Sequence, residues 1–304
     1  MNRVFALPLL AAILFSCSPQ STPAPPTPTA APTPIPSATA TLTPSPIPPT
    51  ATSTPLPGAV VLPVDTLGTD IPWLPLDKDK RPRVHLVGFN ILKPPFNSAL
   101  VRQAFAYAID RQVLIGMAEK YGARDLKLAT TLTPPQTLGR DLSGEIGVVF
   151  DPQKAKALFE EAGYTDPTAF PETIIIVSAS GDIAPGARFN MASAMARMWK
   201  DALGVSVQVE AVRSFGDYGK RISSNPPDMF WLGWAADYND PDNFLREIFH
   251  SGTQYNYGKF SNPEFDRIVD RAAESKDPAQ RQMLYIEAER LLCETEAALI
   301  PIYH

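Results

Sequence analysis

Three carboxylates, Asp237, Asp240 and Asp242, stand close together directly after the apolar run Asp228–Trp234 (DMFWLGW). Acidic groups at that spacing can bind calcium, work as an acid and base on a glycosidic or peptide bond, or simply solvate a loop. A calcium loop opening at Asp237 needs glycine at the place of Asp242 and glutamate at the place of Ile248, so that motif fails. A hydrolase pairing Asp237 with Asp240 or Asp242 needs its carboxyl groups about 5 to 9.5 Å apart across a sugar, and sequence spacing does not distinguish that from loop acidity.

Other catalytic signatures are missing. The sequence has no GxSxG elbow, no HExxH, no CxxC and no Walker motif. His85, His250 and His304 are far apart, so transition-metal ligands are scarce, and neither a metal nor a cofactor is expected. Cys293 lies beside Leu291 and Leu292 in an apparently amphipathic helix and reads as a packed thiol, not a nucleophile. No catalytic residue is assigned, and the chain reads as a protein without enzymatic activity. A formal net charge of -5 and the lack of any Lys/Arg run leave nucleic acid no electrostatic footprint.

Stepping out along the chain, the first residues have the form of an export signal: Arg3, then an apolar run of about a dozen residues, too short for a permanent span. Leu14-Phe15-Ser16-Cys17 resembles a bacterial lipobox, which makes residues 1–16 a lipoprotein signal peptide and Cys17 the lipidated residue. Two or more acyl chains hold a protein stably at a membrane where one does not. Residues 17–64 are Pro/Thr/Ser-rich, almost wholly Pro, Thr, Ser and Ala from Ser18 to Pro57, with no charge between Val4 and Val64. Such a stretch cannot build a core and is expected to be a disordered, semi-rigid stalk. A globular domain is expected over 65–304.

Within that domain the order is mainly alternating. Asn97 or Ser98 caps a helix with Leu100, Val101, Ala104, Phe105, Ala108, Ile109 and Met117 on its apolar face. Asp151-Pro152 opens a second helix and Gly163 closes it. Thr173–Ser178 is a strand, Ala187–Leu203 a helix ended by Gly204, and Val205–Val212 another strand, a βαβ unit. A short helix around Phe215–Ser223 leads to Asp228–Trp234, whose continuous apolar run predicts a strand buried on both faces. Helices near Pro263–Ser275 and Pro278–Ala298 precede an apolar LIPIY segment. The fold class is α/β.

Five segments resemble the solute-binding proteins of peptide and nickel ABC importers, bacterial extracellular solute-binding family 5. They are Lys93–Ile115 (KPPFNSALVRQAFAYAIDRQVLI), Phe150–Tyr164 (FDPQKAKALFEEAGY), Gly233–Leu245 (GWAADYNDPDNFL), Tyr255–Ala272 (YNYGKFSNPEFDRIVDRA) and RQMLYIEAERLL followed by IPIY. The resemblance implies a periplasmic-binding-protein-like lobe of type II, with a mixed sheet flanked by helices. It implies chiefly the second lobe of a two-lobed, hinged receptor, either as a fragment or as a reduced relative. The implied partners are a small-molecule or peptide ligand, an ABC permease and, through the lipid anchor, the outer face of the cell membrane.

In peptide-binding members an aspartate near this tryptophan strand holds the ligand's α-ammonium group, and the matching position is Asp237. A carboxylate just past the C-terminal end of a buried parallel strand stands where open α/β sheets bind ligands. A charge-assisted bond there contributes about 1.5 to 3 kcal/mol. Trp234, Tyr238 and Asn256 are the neighbouring candidates for ligand contact, whereas Asp240, before Pro241, is expected to cap the next helix. Phe230, Trp231 and Leu232 offer no base for a ligand's carboxylate, which leaves room for sugars, opines or other amines besides peptides. The rival expectation is a surface lipoprotein whose degenerate lobe serves as an interaction module.

Overall fold

β-branched and aromatic runs supply five strands of one mixed sheet in the computed structural model, which describes residues 81–180, 184 and 186–304. The expected signal peptide, Cys17 and the stalk over 17–64 lie outside those residues. The strands are β1 (Arg83–Phe89), β2 (Thr173–Ser178), β3 (Val207–Val212), β4 (Met229–Ala235) and β5 (Leu299–Tyr303), in the order β3-β2-β4-β1-β5. β2 is parallel to β3 and β4, and β1 runs antiparallel between β4 and β5.

The helices are α1 (Ala99–Tyr107), α2 (Arg111–Lys120), α3 (Pro135–Leu138), α4 (Pro152–Glu161), α5 (Ala187–Leu203), α6 (Phe215–Ser224), α7 (Asp242–Phe249), α8 (Pro263–Glu274) and α9 (Pro278–Arg290). Local chemistry explains their ends. Asp151 accepts from the N–H groups of Gln153 and Lys154 to start α4, Asn262 does the same for α8, and Asp277 for α9. Gly204 closes α5 with φ at 75°, a conformation that glycine adopts without strain.

Two expectations need correction. The long helix read from Ser98 to Met117 is two helices: the chain turns at Ala108–Asp110, and the Asp110 carboxylate accepts the Gln112 N–H to begin α2. The helix read to Ala298 stops at Arg290 and runs on as a π-helical turn over Leu291–Thr295. β1, which the sequence pattern left unassigned, is a central strand.

The sheet's two faces are covered differently. On one, Trp231, Val87 and Ile175 pack under Phe105, Phe159 and Trp199 from α1, α4 and α5. On the other, α7, α8 and α9 bring Phe244, Phe265 and Tyr285 over Leu86 and Leu299. Each fully buried side chain of this size contributes about 1.5 to 3 kcal/mol by leaving water.

Buried polar groups tie these layers to the chain's later turns. Arg102 donates from Nη1 to the Phe96 carbonyl (2.8 Å), from Nε to the Glu296 carbonyl (2.9 Å) and from Nη2 to the Glu296 carboxylate (3.0 Å). Glu289, fully buried, accepts the N–H groups of Leu132 (2.8 Å) and Thr133 (2.7 Å) and the Cys293 thiol (3.3 Å). Burial raises the pKa of both Glu289 and Cys293, which makes Cys293 a packed, protonated thiol.

Candidate ligand-binding site

β4 changes character along its length. Met229, Phe230 and Trp231 are buried, whereas Leu232, Trp234 and Ala235 are half-buried and Gly233 is exposed. The expectation of a strand covered on both faces therefore holds only as far as Trp231. The antiparallel register sets Leu232 beside Leu86 and Trp234 beside Val84, on the face that α7–α9 cover only in part.

The loop at 255–258 frames this uncovered stretch. Trp234 meets Tyr255 edge-on at 5.0 Å between ring centroids; Tyr255 meets Tyr257 at 6.4 Å, and Tyr257 meets Phe230 at 6.3 Å. Tyr255, Tyr257 and Phe230, with Leu232, Leu86 and Gly88, line an apolar cleft. Gly88 and Gly258 make it possible: a Cβ on Gly88 would stand 2.5 Å from the Phe230 ring, and one on Gly258 would stand 2.4 Å from the Phe89 carbonyl oxygen.

Asn256 holds the loop from inside. It is 4% exposed, its Nδ2 donates to the carbonyls of Phe249, His250 and Phe260, and its Oδ1 accepts the Phe260 N–H at 2.9 Å. With both ends of the amide occupied, Asn256 braces the loop behind Tyr255 and Tyr257.

Asp237 follows β4 with its carboxylate in the open, 71% exposed, and Arg81 stands 4.0 Å from it. The side chain is exposed while the backbone is pinned: the Asp237 N–H donates to Asn243 Oδ1 at 3.1 Å. Trp234 donates from Nε1 to the same oxygen at 3.0 Å. Tyr238 is also exposed and donates to Asp242 Oδ2 at 2.8 Å; its phenol is pushed up to about 12, first by partial burial and then by that carboxylate.

The neighbouring acids are engaged in structure. Asp240 accepts both guanidinium nitrogens of Arg281 (2.6 and 2.8 Å) and also takes the Asp242 N–H on Oδ1 at 2.9 Å. It caps the start of α7 as expected, although one residue earlier than the helical boundary at Pro241. Asp242 accepts from Tyr238 and, at 3.4 Å, from Tyr285. Thr137 donates to Asn239 at 2.8 Å, joining this loop to α3. Of the three acids, Asp237 alone presents its carboxylate outward. Among the described residues no group of three or more His, Cys, Asp or Glu is arranged to hold a metal ion.

Asp237, Trp234 and Tyr238 stand together at the end of β4, and Arg81 and Asn243, for which the sequence pattern offers no strong signal, join them there. A search for bases on the strand could not find Arg81, because it reaches the site from the segment leading into β1. Asn243 gave a weak signal, a polar residue on the buried face of a helix.

The fold is that of the periplasmic binding proteins. A Helicobacter pylori ABC transporter-associated binding protein, DppA, solved with the peptide STSA, superposes with a TM-score of 0.64 at 25% identity, covering 75% of this chain and 42% of that one. A dipeptide-binding protein from Pseudoalteromonas, solved with Met-Leu, gives 0.61 at 29% identity, covering 74% and 43%. The chain belongs to the bacterial extracellular solute-binding proteins, family 5, whose middle-region model matches residues 53–256. The periplasmic oligopeptide-binding protein OppA of Salmonella typhimurium is 32% identical over 71% of this chain and 38% of its own length. The chain thus spans about two fifths of the curated relatives it matches. The family consists of solute-binding proteins, not enzymes, that work outside the cytoplasm. Among the described residues no helix is long and apolar enough to cross a membrane.

Proposed function

We propose that this chain supplies the amine-holding side of a receptor that captures peptides or related amine-bearing solutes for an ABC importer. One observation carries the reading: an outward carboxylate, Asp237, stands on a backbone pinned at the end of a central strand by the same amide oxygen that holds the Trp234 indole. Asp237 would take the ligand's ammonium group in place of Arg81. An exposed ion pair of that kind contributes at most about 1 kcal/mol, so exchanging it is inexpensive. Trp234 and Tyr238 would border the group next to the amine, and the permease would receive the solute for transport driven by its own ATPases. The peptide complexes of the structural relatives support a peptide ligand, and the Haemophilus influenzae relative named heme-binding protein A shows that the family's ligands vary.

The test is calorimetric titration with a short peptide bearing a free amino terminus and with its N-acetylated form. Acetylation and Asp237→Asn should each weaken binding by roughly tenfold or more, and their effects should not add. Equal binding of both peptides, or full affinity in Asp237→Asn, overturns the assignment.

Cys17 is proposed as the site of lipidation, holding the receptor at the outer face of the membrane at the end of the Pro/Thr-rich stretch. Radiolabelled palmitate should enter the wild type and be lost in Cys17→Ala; equal labelling removes the anchor.

A further inference from the structure

Asn243 lies in the first turn of α7, 1% exposed, with its side chain directed back to the end of β4. Its amide oxygen accepts two hydrogen bonds, from the Trp234 indole (3.0 Å) and from the Asp237 backbone N–H (3.1 Å). Its Nδ2 is buried with no hydrogen-bond partner. One buried amide oxygen therefore holds both Trp234 and Asp237 at this strand end. The two other described tryptophans are held differently, Trp199 by the Phe105 carbonyl and Trp231 by His85, each through an acceptor that serves the core.

We infer that Asn243 is a positioning residue that fixes the Trp234 ring and the Asp237 main chain as one unit. An sp² oxygen has two lone pairs, and here each is aimed at one of the two groups. Trp234 cannot rotate out of its ring plane without releasing the atom that also holds Asp237. The separation between the carboxylate and the indole face is thereby set, which selects ligands carrying an apolar group close to their ammonium. This rests on the reading of Asp237 as the amine-holding group. Helix α7 in turn keeps Asn243 in place through Phe244 and Leu245, which are packed in the core beneath it.

The experiment compares the wild type with Asn243→Leu, which keeps the size and loses the acceptor, and Asn243→Asp, which keeps the acceptor. Hydrogen exchange at the Trp234 indole and the Asp237 amide is followed by NMR, and binding is titrated with leucyl-leucine amide, a probe with an ammonium group and no carboxylate. In Asn243→Leu both protons should exchange roughly tenfold faster, those of Trp199 and Trp231 should be unchanged, and affinity should fall roughly tenfold. Asn243→Asp should restore both protection and affinity. Acceleration at only one of the two protons, or at neither, overturns the coupling. Faster exchange with unaltered affinity, in a protein where Asp237→Asn does abolish binding, makes Asn243 merely structural and also overturns it. If Asp237→Asn leaves binding intact, the amine-holding reading itself has failed, and the positioning role falls with it while the exchange data still report the shared acceptor.

Discussion

Trp231 and Trp234 belong to the same strand and the same apolar run, yet they are built into opposite situations. Trp231 is 2% exposed, donates to His85 and lies under a helical layer. Trp234 faces the other side of the sheet, is half-covered, and donates to an amide that also holds the Asp237 backbone. The difference shows how an α/β lobe separates its two tasks on one strand: the first half of β4 anchors the sheet, and the second half presents a surface. The cover ends where the helices end, so packing decides the boundary.

The largest expected effect tests that division. Trp231→Ala should lower stability by about 3 to 5 kcal/mol in urea unfolding, as buried aromatic deletions do. Trp234→Ala should cost no more than about 1 to 2 kcal/mol there, because part of its surface already meets water. Equal losses would dissolve the comparison.

A pH prediction addresses the closed region next. His304 donates from Nε2 to the Thr131 carbonyl at 3.1 Å, with Nδ1 buried beside no acceptor. Burial pushes its pKa down from 6.5 to about 4. A histidine with a depressed native pKa binds fewer protons folded than unfolded, so stability is full above pH 6.5 and declines as pH falls towards 4. The residue keeps some solvent exposure, so the loss should be on the order of 2 kcal/mol. Unfolding midpoints measured between pH 7 and pH 4 should show this slope in the wild type and lose it in His304→Gln.

The smallest effect belongs to Arg81→Ala. Its partner is 4.0 Å away and both side chains are exposed, so stability should move by less than about 0.5 kcal/mol. A larger loss would mean that the Asp237 end is structural after all.

Much of the fold was legible because its signals are local. β2, α5 with its closing Gly204, and the Asp-Pro start of α4 are written in short patterns that tertiary packing left alone. Other features are not local. The two-helix break at Asp110 hides inside a continuous apolar period, since Ala108 and Ile109 are buried in the turn as they would be in a helix. β1 is a short run with no flanking turn signal of its own, and it becomes a strand because β4 and β5 pair with it. At the site, Asp237 could be placed from its motif, whereas the commitment of Asn256 and the double acceptance at Asn243 depend on how a loop and a helix return to the sheet.

The central position of β1 has a consequence for how the molecule is made. Among the described residues the first strand in the sequence is flanked by the fourth and fifth, and Trp231 reaches His85 across 146 residues of sequence. Until β4 emerges, the VHLVGF run has no neighbour to pair with, and the sheet cannot close until β5 follows. Non-local pairing of this kind makes folding slow and leaves apolar strand edges waiting in the nascent chain.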